Sequence, residues 1–239
     1  MAKEFKAPKN IKYVGFCPGC GHSIFVRLMQ EVLEEKGYLD KNVCVVGVGC
    51  SANVHGDNVY GDNKMECHHG RPPVAGNGMK RVRPDVFVWT YQGDGDAYAI
   101  GMGETILAAE QGFPISVFVI NNCNYGMTGG QMAPTTLHGQ VTTTTTKGRA
   151  DYPINAMPLI QSIDNVAFAA RATVTSPAEI RKLKKYIEKA VDLQMNEGKY
   201  SFVEIVSPCP TNWHKSPVDS CKWIDEEVTK VFPLGVFKG

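Results

Sequence analysis

Two groups of residues in this sequence have chemical potential: cysteines in turns, and an aspartate and an asparagine at strand ends. "CPGCGH" holds Cys17-x-x-Cys20, and Pro18, Gly19 and Gly21 predict a tight turn there, because Pro fixes φ and Gly accepts positive φ. Such a turn gathers two sulfurs beside backbone N–H groups. Alone it fits half of a metal site, a redox dithiol or two packed thiols. Cys50 in "GVGCSA" and Cys209 in "VSPCP" each follow an apolar run that reads as a strand. A thioredoxin-like dithiol is disfavoured, since no strand precedes Cys17. Cys44 and Cys123 read as buried small hydrophobes. Cys67 and Cys221 read as surface or packing residues, with Cys67 beside His68 and His69 a weaker metal candidate.

The second group is in "YQGDGDAYAIG" and "VINNCNYG". Asp94 occupies a Gly-Asp-Gly turn, and Asn122 opens the loop after the next strand, with room between them for one helix and one strand. A parallel sheet would bring both to one edge. One carboxylate, one amide and a nearby carbonyl suit Mg²⁺, which keeps water and ligand phosphate in its other positions. The N-terminus of the following helix and the glycine N–H groups would offset phosphate charge. Asp96 is either a further contact or the cap of that helix.

The elements that must position these residues alternate. Helices are expected over 22–36, 97–111 and 177–196, with a short one from 224; strands over 42–49, 85–92, 115–122, 169–174 and 200–207. Strand-helix-strand alternation predicts an α/β fold with a parallel sheet covered by helices on both faces, here a single domain over 1–239. Two stretches, 51–84 and 122–158, lack periodicity and read as long functional loops at strand ends, where ligands of such sheets bind. Gly47-x-Gly49-x-x-Ala52 matches a dinucleotide fingerprint, but no apolar helix follows to hold a pyrophosphate. A glycine-rich turn is the better reading. "TTTTTK" (142–147) reads as a surface loop or subunit contact.

Composition bounds the rest. The 239 residues are 43% hydrophobic and 21% charged, with net charge +1, so no basic field invites nucleic acid. No apolar run is long enough for a signal peptide or membrane span. The reading is a cytoplasmic protein, in which cysteines serve metals or chemistry rather than disulfides.

Gly93-Asp94-Gly95 followed by Asn121-Asn122 resembles the motif of thiamine diphosphate enzymes. "CPGCGH", "GVGCSAN", "HGRPPVAGNGMK", "NYGMTGGQMAPTT" and "VSPCP" narrow the likeness. Together they resemble the β subunit of the 2-oxoacid:ferredoxin oxidoreductases, of the 2-oxoglutarate or branched-chain type, over Cys17 to Pro210. The resemblance implies the thiamine diphosphate-binding fold and four ligands, Cys17, Cys20, Cys50 and Cys209. Four thiolates suit zinc or a 4Fe–4S cluster, spacing does not choose, and the redox chemistry the family implies favours 4Fe–4S. It implies Mg²⁺ on Asp94, Asn122 and the carbonyl of Asn124. Gly49, Cys50, Ser51, His69, Gly93, Asp94, Gly95, Asp96, Asn122, Asn124, Gly126, Met127 and Thr128 would contact thiamine diphosphate. His69 and Arg71 would meet diphosphate or the substrate carboxylate, with Lys80 a weaker candidate. The implied activity is coenzyme A-dependent oxidative decarboxylation of a 2-oxoacid, with 2-oxoglutarate favoured. An α subunit would bring the pyrimidine-binding domain and its activating Glu; γ and ferredoxin-like δ chains, or free ferredoxin, would drain the cluster. A non-redox thiamine-dependent lyase subunit with zinc at the cysteines is the alternative.

Overall fold

The computed structural model describes residues 15–55 and 63–239. Residues 1–14, read above as lacking a leader, and the 56–62 part of the expected 51–84 loop lie outside the described residues. Among the described residues one sheet holds seven strands: β1 (Asn42–Val46), β2 (Lys64–Glu66), β3 (Phe87–Gly93), β4 (Ser116–Asn121), β5 (Val166–Thr173), β6 (Tyr200–Val206) and β7 (Gly235–Lys238). Their order is β2-β1-β3-β4-β6-β5-β7. All pairs are parallel except the edge pair β5 and β7.

The strands are apolar on both faces because both are covered. Successive side chains point to opposite sides, and the core divides accordingly. Cys44, Phe87, Trp89, Tyr91, Phe118 and Ile120 face one layer, formed by α1 (Gly21–Lys36) and α5 (Pro177–Glu197). Val45, Val88, Val117 and Val119 face the other, where α2 (Pro72–Val82), α3 (Met102–Gln111) and α4 (Met157–Ser162) pack. Burying one such large side chain contributes about 1.5–3 kcal/mol. Cys44 is one of these core residues, as expected.

Helix ends follow their sequences. Gly37 closes α1 in the left-handed conformation, its N–H reaching the carbonyls of Leu33 and Glu34, a glycine C-cap. Ser176 caps α5 by accepting from the Glu179 N–H, with Pro177 in the first turn.

Three expectations need correction. The expected 51–84 loop contains β2 and α2. The helix escaped notice because its buried face is Pro72, Pro73, Gly76, Asn77 and Lys80, which makes no apolar stripe. The helix expected over 97–111 instead enters through a π-helical turn, Asp96–Ile100, before α3. The helix expected from 224 begins earlier, as α6 (Pro210–Trp213) and α7 (Pro217–Trp223), and runs through a π turn, Ile224–Val228, into α8 (Thr229–Val231). The stretch after Gly49 is a 3-10 turn, Cys50–His55, so the fingerprint lacks its α-helix.

The 122–158 loop also contains the start of α4, and it is organised from within. Arg149 is buried and donates through Nη1 to the carbonyls of Ala133 (3.0 Å), Pro134 (2.7 Å) and Thr136 (2.8 Å). Its Nη2 reaches the Tyr152 carbonyl at 2.9 Å. The threonine run folds back on the same loop, with Thr143 N–H on the Gly130 carbonyl and Met132 N–H on the Thr144 hydroxyl.

Candidate functional site at the carboxyl edge of the sheet

Four adjacent parallel strands end at one rim. After β1 comes Cys50, after β3 Asp94, after β4 Asn122 and after β6 Cys209. Register sets their heights: Gly93 pairs with Ile120, and Asn121 with Val206. A cleft of about 260 Å³ opens there. Of the expected contacts, Gly49, Cys50, His69, Gly93, Asp94, Gly95, Asp96, Asn122, Asn124, Gly126, Met127 and Thr128 line it. Ser51 does not; it is buried with its hydroxyl unpartnered.

Asp94 is 2% exposed. Its Oδ1 accepts from the Gly95 N–H at 2.9 Å, and its Oδ2 accepts from the Thr135 hydroxyl. Among the described residues no basic side chain pairs with it, and burial pushes its pKa up to about 7 despite those two hydrogen bonds. A carboxylate so placed fits a divalent cation, which would supply the missing positive charge. The loop beyond β4 is shaped for oxygen donors. Asn122 Oδ1 takes the Asn124 N–H at 3.4 Å, and its carbonyl takes Asn124 Nδ2 at 2.8 Å and Trp213 Nε1 at 3.1 Å. Between them Cys123 is buried at φ +54°, a conformation non-glycine residues rarely adopt. Its N–H is held at 3.2 Å by Asn121 Oδ1.

Asp96 differs from its expected cap role. The cap position is Gly95, without a side-chain bond. Asp96 Oδ1 accepts from His69 Nδ1 (2.7 Å) and the Gly70 N–H (2.9 Å), while Oδ2 accepts from Gln92 Nε2 (2.8 Å). Gly47 serves this contact, since a Cβ there would stand 2.1 Å from Asp96 Oδ2. His69 is thereby held at the cleft wall. Arg71 is not: it pairs with Glu104 of α3 and does not line the cleft. Lys80 is also elsewhere, its Nζ donating to the carbonyls of Pro84 and Val86 (3.0 and 2.8 Å).

The cysteines form a second centre at the same rim. Gly21 N–H meets the Pro208 carbonyl at 3.4 Å, pinning the Cys17–Cys20 turn to the exit of β6. Burial, with the neighbouring Cys209, Cys50 and Cys17 adding to it, raises the Cys20 thiol to about 12. Burial likewise lifts Cys50 to about 11, with Cys209, Cys17 and Asp94 adding to it. The four sulfurs are therefore electrostatic neighbours. Among the described residues no three His, Cys, Asp or Glu side chains converge closely enough to hold an ion unaided.

Several cleft residues were not singled out in the sequence. His22, Val48, Tyr125 and Gln131 complete the lining. His22 is buried, hydrogen-bonded through Nδ1 to the Tyr91 hydroxyl, and its pKa is lowered to about 3 by burial. Thr135 comes from within the long loop, too far in sequence from Asp94 to be paired by pattern. His22, Val48, Tyr125, Gln131 and Thr135 all lie inside the motifs quoted above, but a motif does not say which of its side chains turn to the cleft.

Comparison with known proteins agrees with this geometry. Residues 47–205 match the family described as "Thiamine pyrophosphate enzyme, C-terminal TPP binding domain". Ketoisovalerate oxidoreductase subunit VorA of Methanothermobacter thermautotrophicus is 40% identical over 93% of this chain and 47% of its own length. 2-Oxoglutarate synthase subunit KorB of Methanocaldococcus jannaschii is 36% identical over 88% of this chain and 77% of that one. The solved 2-oxoglutarate:ferredoxin oxidoreductase from Magnetococcus marinus, with 2-oxoglutarate, coenzyme A and succinyl-CoA bound, superposes with a TM-score of 0.74 at 27% identity. That match covers 87% of this chain and 69% of that one. This chain spans about half the length of the VorA relatives. The chain thus belongs to the thiamine pyrophosphate enzymes, within the family of 2-oxoacid:ferredoxin oxidoreductase β subunits.

Proposed function

We propose that this chain provides the cofactor-binding half of a coenzyme A-dependent 2-oxoacid:ferredoxin oxidoreductase. The observation that carries the reading is the shared rim: an aspartate, buried and paired with no basic side chain among the described residues, lies with four neighbouring thiols at the carboxyl edge of the sheet. Asp94, Asn122 and the Asn124 carbonyl would hold Mg²⁺ and through it the diphosphate of thiamine diphosphate. Gly93, Gly95 and Gly126 leave the cleft wall free of side chains there, while Met127 and Thr128 border its open side. Thiamine diphosphate supplies the electron sink for decarboxylation when bound; the chain's own part is orientation and electrostatics. Cys17, Cys20, Cys50 and Cys209 would ligate a 4Fe–4S cluster. A partner chain would supply the pyrimidine-binding domain, and ferredoxin or a ferredoxin-like subunit would accept electrons.

For the substrate, 2-oxoglutarate is supported by the name of the M. jannaschii relative and by the solved neighbour. A branched-chain 2-oxoacid is a second reading with its own support. Val48 and Met127 line the cleft, and among the described residues its wall has no Lys or Arg to pair with a second carboxylate.

Anaerobic copurification with the partner chains, followed by viologen-linked assay over a panel of 2-oxoacids, tests the proposal. Coenzyme A-dependent viologen reduction, with about four irons and four sulfides per chain, is the expected result. Zinc in place of iron with 2-oxoacid decarboxylation that reduces no viologen would identify the lyase alternative. Among the described residues no helix is long and apolar enough to cross a membrane, so purification without detergent is expected to suffice; a complex recovered only from membranes would contradict the cytoplasmic reading.

A further inference from the structure

The short helix α6 joins the two centres. It begins directly after Cys209, and its last two residues, Asn212 and Trp213, both grip the loop after β4. Asn212 Nδ2 lies 3.0 Å from the Gly126 carbonyl, 3.4 Å from Asn124 Oδ1 and 3.5 Å from Cys209 Sγ. Its backbone N–H bonds the same sulfur, which also lies 3.8 Å from Asn124 Oδ1. Two amide hydrogens thus serve three acceptors, one on the cluster side and two on the cofactor loop. Packing leaves Asn212 little freedom: a Cβ on Gly130 would stand 3.0 Å from its Cβ, and one on Gly126 would stand 3.5 Å from its Nδ2.

We propose that Asn212 is a positioning residue coupling the cysteine centre to the cofactor loop, its carboxamide donating to the Cys209 sulfur while holding Gly126 and Asn124 in place. The inference rests on the cluster reading above and deepens it. Hydrogen bonds to ligating sulfur favour the more negative, reduced state of a cluster and raise its potential. The same carboxamide sets the loop that would carry Mg²⁺ and diphosphate, so a change at Asn212 acts on both centres.

The test compares Asn212→Ala and Asn212→Asp with the native chain in the anaerobically purified complex. Cluster potential is read by an EPR-monitored redox titration. Thiamine diphosphate affinity is read by the fluorescence of Trp213, whose Nε1 donates to the Asn122 carbonyl. A merely structural role would leave the potential unmoved. The expected result is a lower potential in both variants, further for Asp because it adds negative charge beside sulfur. At the same time cofactor affinity falls several-fold, with circular dichroism and iron content kept. Where the Ala variant does not fold, the isosteric Asp variant carries the measurement; if neither retains its cluster while Trp213→Phe does, the coupling is supported by that loss. A native potential and native affinity in either folded variant overturn the inference alone. A native complex with no cluster overturns the underlying reading, and the inference with it.

Discussion

Asp94 and His22 are buried titratable groups at one cleft whose pKa values are displaced so that both are neutral when buried. Asp94 titrates near 7 in the native chain and near 3.8 when unfolded. Between those values the native state holds a proton that the unfolded state has lost, so metal-free stability falls as pH rises from about 4 to 7. Asp94→Asn is expected to remove that slope and to stabilise the metal-free chain at pH 7.5, while abolishing Mg²⁺-dependent thiamine diphosphate binding. Urea midpoints across pH, with and without Mg²⁺, check both parts. His22 acts in the opposite direction. Its imidazole titrates near 6.5 unfolded and about 3 in place, so the unfolded state binds more protons between them and stability falls as pH drops through that window. His22→Gln should flatten this acid limb relative to the native chain; an unchanged difference between pH 6.5 and 4 would contradict its burial as the cause.

At the scale of elements, the loop between β4 and α4 holds its shape without regular structure, and Arg149 accounts for that. One guanidinium satisfies carbonyls on both arms of the loop and so presents Thr135 to Asp94. Removing a donor from a buried acceptor costs about 1–3 kcal/mol; of the three carbonyls on Nη1, those of Ala133 and Pro134 also accept from the Thr136 and Ile154 N–H groups. Arg149→Ala is expected to destabilise the chain by about 1–3 kcal/mol, chiefly through the Thr136 carbonyl, and to weaken cofactor binding through Thr135. Arg149→Lys should recover only part of it, since an ammonium lacks the fork. Thermal unfolding beside cofactor titration separates the two effects. The turn at Gly70 makes a sharper demand. Its φ is +75°, and a Cβ there would come 2.4 Å from the Gly101 Cα. Gly70→Ala should therefore push the His69 turn off the π-helical entry after β3, with loss of cofactor binding greater than loss of fold.

For the whole molecule, one fully buried ion pair joins two neighbouring strands of the sheet. Arg171 on β5 and Glu204 on β6 are 0% and 1% exposed, with Nη2 to Oε2 at 2.8 Å. Glu204 also takes the Asn121 amide at 2.7 Å, and Asn121 in turn holds the Cys123 turn. The sheet interior is thus wired to the site. Arg171→Met strands the carboxylate and is expected to cost about 3–5 kcal/mol, whereas Arg171→Met with Glu204→Leu should recover most of the stability. Cofactor affinity should stay impaired in the double variant, because Asn121 has lost its acceptor. Chemical denaturation and fluorescence titration of the single and double variants test this.

The local chemistry was legible along the chain. Alternating apolar runs, the glycine turns, the Asp94 and Asn122 spacing and the cysteine motifs all depend on near neighbours, and they placed the parallel sheet and the rim where the structure has them. Arg71 and Lys80 read as site residues because a motif names positions, not directions; their side chains turn to Glu104 and to the Pro84 and Val86 carbonyls. Thr135 on Asp94, His22 under the cleft, Asn212 between the centres and the Arg171–Glu204 pair were decided by tertiary structure alone. Each joins residues distant in sequence through one hydrogen bond or ion pair. Such a contact leaves no periodicity to read, and it exists only once strand order and loop closure have brought the partners together.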